Sequence, residues 1–351
     1  MGNILVIGNG FDLAHGLPTG YEHFINFVRK NLELYSENEP EDERMKEFIN
    51  IAKNNGFIKY FLEYTNSVPG WVDLERLIRN VIKEIEYFVD DLDTYRDGEV
   101  FANILVPVNM SNILLWFEIR NRESNANIYV NGKYQWTVAF TLKSMYYTEA
   151  YGLNIRAIKM LLRKHLDKLI RLLQIYLQNY IPIECKEMLM PKKQIVDIEP
   201  TYVISFNYTD TYKIYGIEEK DVYHVHGSLA NDNMVLGFDD DNPEELDFVY
   251  FKKYFQRIQK LTGNLDINRF SEKDGYLVWQ DSATVHFYGH SMDKTDGDII
   301  QELRSHSKGF VIYKYSQDDY EQKVVNLIDV FGKKDATEMI QSGYVRFVDC
   351  E

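Results

Sequence analysis

Four clusters of polar residues each follow a short apolar run: Gly8-Asn9-Gly10-Phe11-Asp12, Asn207-Tyr208-Thr209-Asp210, His224-Val225-His226-Gly227 and Gly289-His290-Ser291-Met292-Asp293. In open parallel sheets ligands bind beyond the carboxyl ends of the strands, so four such clusters would converge on one crevice. Glycines let the chain turn sharply and let backbone N–H groups approach a ligand. A carboxamide such as Asn207 offers a donor and an acceptor together. An imidazole with an ordinary pKa near ~6.5 can accept a proton at neutral pH. Singly, each cluster has a plainer use. Asn207 suits a turn, and His290 and Asp293 suit the cap of a following helix. His224 and His226 alternate along a strand, so at most one faces a pocket. Gly227 beside His226 favours His226 as that one.

Metal and acyl chemistry are less well served. His224, His226 and Asp239 to Asp241 could supply imidazole and carboxylate ligands, but the His-x-His pair splays and no third ligand has diagnostic spacing. No metal is expected. No Gly-x-Ser-x-Gly elbow is present. The two cysteines, Cys185 and Cys350, form no Cys-x-x-Cys pair.

The elements that must hold these residues follow from hydrophobic patterning. Ile4 to Ile7 is a continuous apolar run, as in a strand buried on both faces of a parallel sheet. The glycine turn follows, then a short loop and a helix over about Thr19 to Lys30, with Thr19 and Glu22 as a capping box. This is the architecture of a nucleotide phosphate site, although Leu13 stands where Gly-x-Gly-x-x-Gly needs its third glycine. Glu41 to Tyr64 reads as helix with a break at Asn54-Asn55-Gly56, and Trp71 to Leu92 as a second amphipathic helix. Asp73 and Glu75 suit the positive end of that helix; alternatively, one of them reaches into a pocket beside the glycine turn. Asn131-Gly132 between alternating residues predicts a hairpin near 126–140. Asn154 to Tyr180 reads as a long helix whose apolar stripe is core or a self-association face. From Thr201 the pattern returns to short strands over Tyr202 to Phe206, Val222 to Val225, Met234 to Phe238, Thr284 to Tyr288, Gly309 to Lys314 and Tyr344 to Val348. The economical reading is α/β: one sheet from residues 1–30 plus 196–351, and a mainly helical inserted subdomain from 31–195.

Composition narrows the partners. The chain has 351 residues, 45% of them hydrophobic, and a net charge of −15. That charge opposes a uniformly basic nucleic-acid surface and an anionic membrane surface, so neither is expected as a partner. A local pocket for one dinucleotide is still compatible with it. No apolar run approaches the ~20 residues of a bilayer span. No signal peptide precedes the first strand, and two lone thiols suit a reducing compartment, so a cytoplasmic location is expected.

The run Gly8-Asn-Gly-Phe-Asp-Leu-Ala-His-Gly-Leu-Pro18 resembles the opening motif of AbiH-family abortive-infection proteins. Trp71-Val-Asp-Leu-Glu75, Ser205-Phe-Asn207-Tyr-Thr, His224-Val-His226-Gly227-Ser228, Gly237-Phe-Asp and Tyr288-Gly-His-Ser-Met-Asp293-Lys-Thr-Asp296 are similar to further motifs of that family, in its order. AbiH proteins in turn resemble sirtuin-like NAD-binding domains. The resemblance therefore implies a Rossmann-like parallel sheet and NAD as ligand or substrate. It implies that Gly8, Gly10 and Asp12 hold the dinucleotide, with Asn9, Phe11, Thr209, Asp210, Gly227, Gly289, His290, Ser291 and Asp293 around it. Asn207 would orient ribose or water and His226 would act as base. Thr209 stands where an acid is expected, so that acid is absent or displaced to Asp210, and the four-cysteine zinc module is absent; both speak against deacetylation and affect NAD hydrolysis less. The expected biology is phage defence answering a phage trigger that the sequence does not identify. The rival readings are a nucleotide sensor without turnover, or a nuclease or other nucleotide hydrolase in the same crevice. A homo-oligomer stays open.

Overall fold

The computed structural model describes residues 2–67, 73–90, 104–121, 125–130, 133–148, 150–238, 248–262, 272–273, 276–277 and 283–350. Trp71, the Asn131-Gly132 turn and Asp239 to Asp241 lie outside them.

Six strands form one sheet: β1 (Asn3–Ile7), β2 (Pro200–Ser205), β3 (Val222–His224), β4 (Thr284–Tyr288), β5 (Gly309–Lys314) and β6 (Val345–Asp349). Their spatial order is β6-β5-β4-β1-β2-β3, and every neighbouring pair is parallel. The chain thus runs outward from β1 to β3 and returns to β4 on the other side of β1. That reversal is the switch point at which doubly wound sheets bind ligands. β1 is central, and its unbroken apolar run is buried on both faces as the sequence predicts: Ile4 and Val6 join one core, Leu5 and Ile7 another.

The strand expected over Met234 to Phe238 does not join the sheet; only Phe238 is bridged, to Lys252. A side chain stands where a neighbouring strand would be. Gln256 accepts from the Leu236 amide at 3.2 Å and donates to the Leu236 carbonyl at 2.7 Å.

Two local expectations around the first turn also change. Helix α1 (Asn9–Ala14) starts directly after Gly8, without an intervening loop. Helix α2 (Tyr21–Leu34) has Gly20, not Thr19, at its N-cap. Thr19 lies one residue too early to cap, and its hydroxyl donates instead to Asn9 Oδ1 at 2.8 Å.

The middle of the chain is mainly helical: α3 (Glu43–Lys53), α4 (Gly56–Ser67), α5 (Leu74–Asp90), α6 (Val108–Trp116) and α7 (Ile155–Ile175). The predicted break falls between α3 and α4, where the Asn55 side chain accepts from the Ile58 amide and donates to the His165 carbonyl. The hairpin is present, with strands Asn125–Val130 and Lys133–Phe140 paired antiparallel. The apolar stripe of α7 packs inside: Ile158, Leu162, Leu166, Leu169, Leu172 and Leu173 are all buried in the helical core. It is not an exposed self-association face.

That core also takes in Leu17, Phe24, Ile25, Val28, Met234, Leu236, Phe238 and Phe251. A boundary at residue 30 therefore cuts through α2, whose apolar face belongs to the helical side. Leu17 and Met234 to Phe238 follow the carboxyl ends of β1 and β3. The helical layer accordingly packs against the carboxyl edge of the sheet. Among the described residues no helix is long and apolar enough to cross a membrane.

Candidate functional site

The glycine turn is a joint between two chain segments. The Gly10 amide donates to the Gly289 carbonyl at 2.9 Å, the Gly8 amide to the Tyr288 carbonyl at 3.4 Å, and the Phe11 amide to the Gly8 carbonyl at 2.8 Å. A Cβ on Gly8 would stand 2.8 Å from the His290 Cα, and one on Gly10 2.8 Å from the Gly289 Cα. These glycines are thus required by backbone meeting backbone across β1 and β4. The amides of Gly8, Gly10 and Phe11 are engaged within the protein.

The turn delivers Asp12 to the edge, almost fully buried on α1. Thr209 Oγ1 donates to Asp12 Oδ2 at 2.5 Å. Burial pushes the Asp12 carboxyl up to about 6, against the opposing pull of Thr209, Thr211 and Asn207 beside it. Asn207 stands two residues beyond β2, also buried, in a turn fixed by its amide donating to Ser205 Oγ at 3.2 Å. Asp210, by contrast, faces solvent and pairs with Lys213 at 2.8 Å.

A second group centres on Asp296. His226, two residues beyond β3, brings Nε2 to 3.2 Å from Asp296 Oδ1. His290, two residues beyond β4, brings Nε2 to 3.6 Å from Asp296 Oδ2. Lys253, the first residue of α8 (Lys253–Lys260), places Nζ 3.3 Å from Asp296 and 2.8 Å from Glu75 Oε2. The Phe206 ring packs edge-on against both imidazoles, at 5.3 Å from His226 and 4.2 Å from His290. Burial lowers His226 to about 4, assisted by the Lys253 charge and opposed by Asp296, so this imidazole is neutral at pH 7. For Asp296, burial alone would raise the pKa, but Lys253 and His226 outweigh it and hold the carboxyl well below its usual range. Burial raises Glu75 to about 7, with Lys253 pulling it down and Asp296 and Asp73 pushing it up.

The two residues expected to do the chemistry therefore sit in adjoining groups and do not hydrogen-bond each other. The β2–β3 pairing runs from Val203 with Val222 to Ser205 with His224, and Asn207 and His226 each lie two residues beyond its last pair. Of the acidic pair at the start of α5, Glu75 joins the site, whereas Asp73 accepts from the Arg76 amide at 2.9 Å as a cap. Asp293 is exposed and caps the next turn through the Thr295 amide. Ser291 offers its carbonyl to Asn326, Phe11 stacks edge-on against Tyr288 in the sheet core, and Asn9 is held by Thr19. Gly227 has φ +74° and leaves no room for a side chain against Asn233. His224 turns away and pairs with Glu219 at 3.1 Å. Lys253 was not legible as a site residue; its one signal is a lysine pair set between Phe251 and Tyr254-Phe255. Asp296 closes the last motif, where its spacing carries no chemical signal of its own.

Four atoms at this edge are buried without a well-aligned hydrogen bond: Asp12 Oδ1, Asn207 Nδ2, His226 Nε2 and His290 Nε2. They come from the segments after β1, β2, β3 and β4. Each has a near neighbour in poorer geometry: Asp296 for the two imidazoles, and Asp12 and Asn207 for one another.

Comparison with known families agrees with the motifs. The family model described as bacteriophage abortive infection AbiH matches residues 4–313. The chain belongs to the AbiH family. Membership implies a role in abortive infection by phage. The AbiH match runs from β1 into β5 and includes both groups at the carboxyl edge. No curated protein and no solved structure matches this AbiH chain. Among the described residues, no group of three His, Cys, Asp or Glu side chains is arranged to hold a metal ion.

Proposed function

We propose that this AbiH protein binds NAD at the carboxyl edge of its sheet and hydrolyses the bond between nicotinamide and ribose, and that loss of NAD is how it aborts infection. The observation that carries this reading is the convergence of Asp12, Asn207, His226 and His290, buried polar side chains that follow β1, β2, β3 and β4, at one edge of the sheet. The strand order, which is that of doubly wound dinucleotide-binding sheets, supports it. The residues suit a sugar better than an exposed phosphate nest. Asp12 Oδ1 is an acceptor and Asn207 Nδ2 a donor, side by side, which matches ribose hydroxyls. The sirtuin-like likeness supplies the choice of NAD.

In the proposed reaction the C1′–N bond breaks and its electron pair returns to the nicotinamide ring, discharging the pyridinium. Departure therefore needs little acid assistance. Water attacks C1′ and loses a proton to His226, giving nicotinamide, ADP-ribose and, on release, one proton. Asn207 and Asp12 hold the sugar and stabilise positive charge developing at C1′. His226 is neutral at pH 7 and so offers a lone pair, as a weak base with a pKa of about 4.

The test is consumption of NAD, NADP and ATP by the purified protein, with and without chelator. His226→Ala and Asn207→Ala should abolish NAD loss while leaving the folded signal intact. Either variant turning over NAD at the wild-type rate would sink the assignment. Chelator should leave NAD hydrolysis unchanged, whereas nucleic-acid cleavage that stops with chelator would favour a metal-dependent nuclease. Tight NAD binding without turnover would favour a sensor.

A further inference from the structure

We propose that Asp296 is the positioning residue for His226 and is itself held from the helical layer by Lys253 and Glu75. This rests on the reading of His226 as the proton acceptor. The geometry is a continuous line of side chains. Glu75, in the first turn of α5, reaches Lys253 at 2.8 Å; Lys253 reaches Asp296 at 3.3 Å; and Asp296 reaches His226 at 3.2 Å. Lys253, Asp296 and His226 are each less than one-tenth exposed.

Burying a lysine is unfavourable by several kcal/mol unless carboxylates surround it, and here two do. Lys253 thereby keeps Asp296 charged and fixed. A charged carboxylate beside Nε2 favours the tautomer with its proton on Nε2, because the partner of one ring nitrogen selects the protonation of the other. Nδ1 then keeps its lone pair and is the atom free to take a proton from water. The Phe206 ring edge restrains rotation of the imidazole, and His290, on the other oxygen of Asp296, restrains the carboxylate. The N–O line is not aligned as in a finished hydrogen bond, as is common before substrate is present. Because Glu75 belongs to the helical layer and Asp296 to the segment after β4, the orientation of His226 depends on the two halves being docked.

The experiment is long-range ¹H–¹⁵N spectroscopy of the full chain with ¹⁵N-labelled histidine, His226 being assigned with His226→Gln. At pH 7 the wild type should show His226 neutral and protonated on Nε2. Asp296→Asn should give a mixture of tautomers. A wild-type ring protonated on Nδ1 overturns the proposal, as does an unchanged tautomer in folded Asp296→Asn. If Asp296→Asn does not fold, the wild-type spectrum still decides. Turnover gives a second readout: Asp296→Asn should lower kcat about 100-fold or more, within the range ascribed to general-base catalysis, with the Kd for NAD nearly unchanged. A wild type that holds the Nε2 tautomer but consumes no NAD removes the hydrolysis reading alone.

Discussion

Gly289 leaves no room for a side chain beside Phe11: a Cβ there would stand 2.0 Å from the Phe11 amide nitrogen. This contact, more than ligand access, explains why glycines recur after β1 and β4. Gly289 also has φ +66°. Gly289→Ala should therefore destabilise the protein by well over ~3 kcal/mol, the overlap adding to the ~1 kcal/mol of a left-handed alanine. Gly16→Ala is the control, with φ +80° and open space around it, and should cost only about 1 kcal/mol. Denaturant unfolding of the two variants checks this; equal losses would refute the joint.

Glu75 shares Lys253 with Asp296. Glu75→Ala should destabilise by about 1 to 2 kcal/mol, less than a fully buried pair, because the Glu75 side chain is one-fifth exposed and Asp296 remains beside Lys253. Glu75→Gln, which keeps shape and one hydrogen-bonding oxygen, should lose less. Urea midpoints would report both, and a Glu75→Ala variant as stable as wild type would argue against a pair that holds the two halves together.

The raised pKa of Glu75 has a signed consequence. Its folded value, about 7, lies above the ordinary 4.5. Between those values the native state holds the proton more tightly than the unfolded chain, so this contribution is present at low pH and lost as pH rises towards 7. The stability of wild type relative to Glu75→Gln should therefore decline from pH 5 to pH 8. A flat difference across that range would contradict the burial of this carboxyl.

His165 titrates in the opposite sense. It is buried in the helical core, where the Gly56 amide donates to its Nδ1 at 2.9 Å, and burial lowers it to about 4. Its folded pKa lies below the unfolded 6.5, so its contribution is present above pH 6.5 and lost as pH falls towards 4. Acidification should loosen the α4–α7 contact before the sheet opens. Hydrogen exchange at pH 7 and pH 5 would show α4 and α7 losing protection first; uniform loss would be the contrary result.

Thr209 Oγ1 is the donor that restrains the Asp12 pKa. Thr209→Val should raise that pKa above about 6 and leave a larger neutral fraction at pH 7. If Asp12 binds the sugar as a carboxylate, NAD affinity should fall several-fold at pH 6 and recover at pH 8. Calorimetric titration at the two values decides it, and a pH-independent loss would assign Thr209 to contact rather than charge.

Much of this protein is written locally. The buried run Ile4 to Ile7, the break at Asn54 to Gly56, the hairpin, and the clusters after β1 to β4 follow from periodicity and turn chemistry, which depend on near neighbours only. Even so, Met234 to Phe238 has the apolar look of a strand and does not join the sheet; Gln256 takes both backbone hydrogen bonds of Leu236 at its centre. The ionic architecture is of another kind. Asp12 and Thr209 are 197 residues apart, and Glu75, Lys253 and Asp296 come from three separate elements. Nothing in the spacing of those residues selects one partner over another solvent-facing acid or lysine. The parallel sheet brings four strand ends to one edge, and the helical layer packs against them. Only that burial turns ordinary side chains into a charged relay with shifted protonation, because in the interior a charge must find a partner that water would otherwise supply.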